Sequence, residues 1–148
     1  MVRRACVYTV GFLTCALLPA ADGSAPMPPQ PALTIEITCA VSATGTVRLA
    51  LWKGAATFLT PPPYRTATVQ LADGRAEVTF ADLSADEYAV SAFLDKNGTG
   101  KLDRSFIGKP SEPYGFSNGA RGKLGPPKFR DASVQVSGSN RTISVHLE

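Results

Sequence analysis

The stretch Ala67-Thr68-Val69-Gln70-Leu71-Ala72-Asp73-Gly74-Arg75-Ala76-Glu77-Val78-Thr79-Phe80 decides how the chain folds. Apolar and polar residues alternate on both sides of Asp73-Gly74. A period of two puts Ala67, Val69 and Leu71 on one face of a strand and Thr68 and Gln70 on the other. Ala76, Val78 and Phe80 repeat the pattern against Glu77 and Thr79. Asp-Gly accepts the positive φ values of a two-residue turn, so the stretch predicts two strands joined by a tight hairpin.

The same period recurs outward from this pair. Leu33, Ile35, Ile37 and Cys39 alternate with Thr34, Glu36 and Thr38. Val47, Leu49 and Leu51 alternate with Arg48, Ala50 and Trp52. Tyr88, Val90, Ala92 and Leu94 form a further set, as do Val134 and Val136, then Ile143, Val145 and Leu147. Gly138-Ser139-Asn140 supplies a second turn signal. No helical stripe of period 3.6 runs anywhere between residues 32 and 148, and Pro61-Pro62-Pro63 stops the one short candidate at residues 55–59. About seven short strands with frequent turns predict an all-β protein, a single antiparallel β-sandwich. Tyr88 follows a turn at the start of a strand, where its ring can bury and its hydroxyl can bond back to the turn, as in the tyrosine corner of Greek-key sandwiches.

Composition limits the function classes. The 148 residues are 44% hydrophobic, enough to build a core, and only 18% charged. The net charge of +3 is small and no basic run exceeds two residues, which speaks against a nucleic-acid partner. The chain opens on Met1-Val2-Arg3-Arg4, continues through an apolar segment to Leu18 and reaches the small residues Pro19-Ala20-Ala21. That is the layout of a secretory signal peptide over residues 1–21, with cleavage expected after Ala20 or Ala21; an uncleaved membrane anchor is the competing reading of the same residues. The apolar segment is about 14 residues, short of the ~20 of a typical membrane span, so no transmembrane span is expected after cleavage. Residues 22–31 are rich in Pro, Ala and Ser and form a linker; the folded domain is expected over residues 32–148. The expected address is the periplasm or the extracellular medium. Cys6 and Cys15 leave with the leader. Cys39 remains alone, without an internal disulfide partner, on the apolar side of its strand.

Alternation vanishes between Asp95 and Asp131. This 37-residue segment carries Phe106, Tyr114, Phe116 and Phe129 among seven Gly and four Pro. Aromatics argue for an ordered excursion over the sandwich rather than for disorder. Its first part, Asp95-Lys96-Asn97-Gly98-Thr99-Gly100-Lys101-Leu102-Asp103, spaces oxygen ligands as the first half of an EF-hand loop does. Asp95, Asn97, Thr99 and Asp103 would offer side chains, and Lys101 its carbonyl. Gly100 permits the sharp bend. Phe106 stands where an EF-hand has its bidentate Glu, so water or a folded-back Glu112 must complete a Ca²⁺ shell. A turn capped by its own Asp side chains is the competing account of the same residues.

Tyr88-Ala89-Val90, Phe93-Leu94-Asp95-Lys96-Asn97, Gly100-Lys101-Leu102-Asp103 and Gly108-Lys109-Pro110 carry a family resemblance. So do Glu112-Pro113-Tyr114-Gly115-Phe116-Ser117-Asn118, Ala120-Arg121-Gly122, Gly125-Pro126-Pro127 and Phe129. Over roughly residues 33–148 the chain resembles the bacterial domain of unknown function 2141. Thr99 departs from the Asn or Asp expected there, and Gly119 sits within the Ser-Asn-Xaa-Ala-Arg run. The resemblance implies an exported bacterial protein and no assigned activity. The turn into Tyr88 is similar to those of transthyretin-like and other Ig-like sandwiches, an analogy of fold alone.

Two functions follow as expectations. The first is an exported non-catalytic module. It would bind an envelope protein or glycan through Tyr114, Phe116, Asn118 and Arg121, with Ca²⁺ bracing the excursion. The alternative is a carbohydrate-binding module or a small hydrolase using the Asp95, Asp103 and Glu112 carboxylates. A serine–histidine site is disfavoured, because the only histidine, His146, alternates with Val145 and Leu147 and so faces outward.

Overall fold

The computed structural model describes residues 30–40 and 42–148. The expected leader and most of the expected linker lie outside the described residues. Eight strands follow in order: β1 (Leu33–Thr38), β2 (Gly45–Lys53), β3 (Arg65–Leu71), β4 (Arg75–Phe80), β5 (Asp86–Asp95), β6 (Tyr114–Phe116), β7 (Val134–Val136) and β8 (Arg141–His146). Among the described residues helix is confined to a 3-10 turn at Ser117–Gly119 and one α-turn, α1 (Phe129–Ala132). The protein is therefore all-β, as its alternation demands.

The strands form two sheets, β4-β1-β8 and β3-β2-β5-β6, with β7 also on β5. The faces that alternation marked as apolar meet in one core. Leu33, Ile35 and Ile37 of β1 and Val145 of β8 come from the first sheet; Val47, Leu49 and Leu51 of β2 and Val90, Ala92 and Leu94 of β5 come from the second. Each of the Val, Leu and Ile side chains contributes roughly 1.5–3 kcal/mol by leaving water. Tyr88 is fully buried, and its hydroxyl donates to the Ser84 carbonyl at 3.0 Å, closing the turn before β5.

The two turns form where expected but do not make hairpins. Asp73 and Gly74 have φ of 51° and 72°. Yet β3 and β4 belong to different sheets, and only the Ala72–Arg75 bridge joins them. The turn is fastened elsewhere: Gly74 donates its N–H to Ala43 and accepts from Cys39, both at 2.9 Å. A Cβ at Gly74 would stand 2.8 Å from the Ala40 carbonyl oxygen. The turn after β7 likewise crosses between sheets, with Asn140 Oδ1 accepting the Ala32 N–H at 2.9 Å. Entering beside Ala32, β8 runs parallel to β1, from Leu33↔Arg141 to Thr38↔His146. The remaining pairs are antiparallel.

The outer face of the larger sheet carries a second, smaller cluster. Trp52 and Ala89 are covered by Ala120, Phe129 and Ala132, with Phe58 and Phe116 packed alongside. Trp52 falls on the polar side of its alternation because this face is also covered. Cys39 is a free, half-buried thiol packed against the main core. His146 is exposed and its Nδ1 lies 2.9 Å from Thr38 Oγ1. Among the described residues no helix is long and apolar enough to cross a membrane.

Candidate functional site

The excursion leaves β5 at Asp95. Its side chain faces outward, diagonally across from Arg48 on β2, since Arg48 pairs with Phe93 and Thr46 with Asp95. Although outward, Asp95 is fully buried, because the loop curls over it. Arg48 Nε donates to Asp95 Oδ2 at 2.6 Å, and the Gly100 N–H donates to the same oxygen at 2.9 Å. Gly100 has φ of +75°, and a Cβ there would meet the Arg48 guanidinium at 3.4 Å. The other oxygen, Asp95 Oδ1, is buried without a hydrogen-bond partner. The Arg48 hydrogen bond holds the Asp95 carboxyl below its ordinary value of 3.8; burial opposes this, and the Gly100 and Gly98 N–H groups reinforce it.

Glu112 is the second buried carboxylate of the loop. Its Oε1 accepts the Lys96 N–H at 2.8 Å and its Oε2 accepts the Asp103 N–H at 3.1 Å. It straps the two ends of the 96–103 loop together, with both carboxylate oxygens on backbone donors. Between those ends, Asn97 Nδ2 donates to Asp103 Oδ2. The Thr99 N–H donates to Asn97 Oδ1 at 3.2 Å, and Thr99 Oγ1 lies 3.1 Å from the Lys101 carbonyl oxygen and 3.5 Å from Asp103 Oδ1. The structure thus brings Asp95, Asn97, Thr99, Lys101 and Asp103 into one loop. Among the described residues no three His, Cys, Asp or Glu side chains gather as a metal-ligand group.

Beyond Asp103 the chain makes a small knuckle. The Ser105 N–H donates to the Lys109 carbonyl at 2.7 Å, and the Ser111 N–H to the Asp103 carbonyl at 2.9 Å. At its tip Phe106 and Ile107 are 107% and 73% exposed, flanked by Arg104 and Lys109. The sequence marked Phe106 only as an aromatic of the excursion and as the residue in place of an EF-hand glutamate, and Ile107 not at all; their joint signal was an apolar pair inside a turn, with no strand to belong to.

The second set of expected residues divides. Tyr114 is half-exposed with the Arg121 guanidinium 5.8 Å from its ring centroid, and Arg121 Nη2 pairs with Glu148 Oε2 at 2.9 Å. Phe116 packs edge-on against Phe58 at 6.3 Å. Asn118, at φ 59°, donates from Nδ2 to the Ser133 carbonyl at 2.8 Å. Sequence reasoning missed Ser117. β5 pairs with β7 over Asp86–Tyr88 and with β6 over Ser91–Phe93. In the gap, buried Ser117 Oγ accepts the Val90 N–H at 2.9 Å and donates to the Ala132 carbonyl at 2.5 Å. Gly115 completes the splice, since a Cβ there would collide with the His146 carbonyl. Tyr-Gly-Phe-Ser-Asn therefore joins two short edge strands to one inner strand, and that architectural role accounts for three of its five residues, Gly115, Ser117 and Asn118.

A shallow depression of about 230 Å³ lies beside the loop on the outer sheet face, lined by Arg48, Thr66, Thr68, Ser91 and Phe93 among others.

Fold and site together define an all-β, two-sheet domain with an ordered excursion rooted on buried carboxylates. A family model described as an uncharacterized protein conserved in bacteria matches residues 35–144, and the chain belongs to that family, the domain of unknown function 2141. A search of the curated proteins finds no match. Two crystal structures of a pilus-presented adhesin are distantly similar. The first is 14% identical with a TM-score of 0.34, covering 81% of this chain and 27% of the adhesin chain. The second is 12% identical with a TM-score of 0.27, covering 83% and 27%. This chain thus spans about a quarter of the length of those adhesin chains.

Proposed function

We propose that the protein is an exported, non-catalytic module that binds an envelope or extracellular component through its excursion. The observation that carries this reading is the knuckle. An ordered loop, pinned at its root by Asp95 and Glu112, holds Phe106 and Ile107 in water between cations. Exposing two large apolar side chains on a hydrogen-bonded tip costs solubility and gives the fold nothing, so a recognition role fits them. The Tyr114–Arg121 pair offers a second contact, a flat ring under a guanidinium. The alternative hydrolase finds little support in the carboxylates: Asp95 is bound to Arg48, and both Glu112 oxygens accept backbone N–H groups.

Export is tested by expressing the full chain with its own leader in a bacterium. The expected product lies outside the cytoplasm and begins at Ala21 or Asp22; a cytoplasmic chain retaining Met1 overturns export. Binding is tested by sedimenting the protein with isolated bacterial envelopes. Phe106→Ser with Ile107→Ser should weaken association roughly tenfold or more, as loss of two anchors does. Unchanged sedimentation by the folded variant overturns the binding role.

The depression at Arg48, Thr66, Thr68, Ser91 and Phe93 favours a second reading, the carbohydrate-binding module. A ring and hydroxyl-bearing walls suit a sugar. Arrayed glycans that bind the wild type but not Phe93→Ala would favour it over the knuckle.

A further inference from the structure

We propose that the 95–103 loop binds one hard divalent cation, Ca²⁺, through Asp95, Asn97, Thr99, the Lys101 carbonyl and Asp103. This proposal stands apart from the partner-binding role and survives its failure.

The primary observation is Asp95 Oδ1. Its side chain has no solvent exposure, yet this oxygen has no hydrogen-bond partner. Leaving a charged oxygen buried and unmatched is costly, and proteins rarely tolerate it without a ligand or a function. The loop closes over the carboxylate, since the Gly100 N–H donates to Asp95 Oδ2 at 2.9 Å. One oxygen thus holds the bend at Gly100 while the other is left for a ligand. This is the division of labour the first aspartate of a cation loop needs.

Three of the other oxygens already lie at shell spacing. Thr99 Oγ1 is 3.1 Å from the Lys101 carbonyl oxygen and 3.5 Å from Asp103 Oδ1. With ligands at 2.3–2.6 Å from Ca²⁺, neighbouring oxygens of a six- to eight-membered shell lie roughly 3–3.7 Å apart. Asn97 now points Nδ2 at Asp103 Oδ2. A half-turn of its amide presents Oδ1 instead, at no cost in shape and with the loss of the 3.2 Å bond from the Thr99 N–H. Five protein ligands result, with Asp103 able to give both oxygens and water filling the rest. Glu112 stays on the backbone and keeps the loop ends in place.

Ligand chemistry selects the ion. The loop holds oxygen donors and neither His nor Cys, which disfavours zinc and copper. An irregular, partly exposed shell suits Ca²⁺ better than Mg²⁺, which demands near-ideal octahedral geometry. Arg48 already neutralises part of the Asp95 charge. Affinity should therefore be weak, on the order of 10⁻⁴–10⁻³ M, as in extracellular modules.

The test uses the protein as the bacterium makes it, stripped with chelator and melted with CaCl₂ or MgCl₂ at equal ionic strength. At Ca²⁺ about ten times the dissociation constant, Tm should rise by roughly 3–6 °C. Asn97→Ala and Asp103→Asn, both changes in the loop away from the main core, should fold and abolish the rise. Calorimetric titration of the stripped protein with CaCl₂ should give one site in the wild type and none in either variant. No rise with CaCl₂, an equal rise with MgCl₂, or a rise retained in either variant overturns the proposal.

Discussion

Ser117 shows how much of this protein rests on single polar atoms. Its hydroxyl stands in for one rung of the ladder on β5, taking the Val90 N–H and giving its proton to Ala132. Ser117→Ala would leave both backbone groups buried and unmatched. A loss of about 2–6 kcal/mol is expected, since each orphaned group costs ~1–3 kcal/mol; urea unfolding of the variant measures it. Asp95 makes a pH-dependent contribution of definite sign. Arg48 lowers its carboxyl below 3.8 in the folded protein. Its stabilising effect is therefore complete above the ordinary value and lost as pH falls below it through the lowered one. Acid titration of stability should show a drop below about pH 4 in the wild type that flattens in Asp95→Asn.

Elements show where sequence and structure part. Strands β1 to β5, β7 and β8 were legible because each buries one face, and a period of two records that burial locally. Strand β6 was not, because Gly115 stands between its two aromatics, with no apolar–polar alternation, inside a segment rich in Gly and Pro. Partner choice was not legible either. Asp73-Gly74 and Gly138-Ser139-Asn140 specify a reversal, but the bonds that send each following strand to the opposite sheet come from Ala43, Cys39 and Ala32. The loop at 95–103 was legible because its spacing is local. The role of Arg48 was not, since it lies 47 residues away in sequence. Glu112 was visible as a carboxylate within reach, while its two backbone partners could emerge only from the folded loop. Those bonds give a prediction for the element. Glu112→Gln keeps one acceptor oxygen and so releases the Lys96 or the Asp103 N–H. Hydrogen exchange at these amides should quicken by about tenfold or more, the equivalent of ~1.4 kcal/mol, while the amides of β2 and β5 stay protected.

At the scale of the molecule, two sheets joined by crossing turns need a seam to keep them registered. The 72–75 bridge closes one place where the chain passes between sheets. The chain after β8 makes another closure: Leu147 donates its N–H to Thr38 at 2.8 Å, while Tyr114 and Glu148 exchange N–H···O bonds at 3.0 and 3.1 Å. Strand β8 lies in one sheet and β6 in the other, so this exchange ties β6 to the segment that leaves β8. Leu147 is buried at the tie, whereas Leu124 is fully exposed. Leu147→Ala should cost about 2–5 kcal/mol and Leu124→Ala within ~0.5 kcal/mol. Gly115→Ala strikes the same seam from the β6 side, by forcing a methyl group against the His146 carbonyl. Once either change has parted β6 from the segment after β8, the other has less left to break. The double variant should therefore lose less than the summed single losses, by roughly 0.5–3 kcal/mol in a double-mutant cycle read from urea unfolding. Strict additivity would mean that Leu147 and Gly115 act on separate structures, and that the two sheets are held together elsewhere.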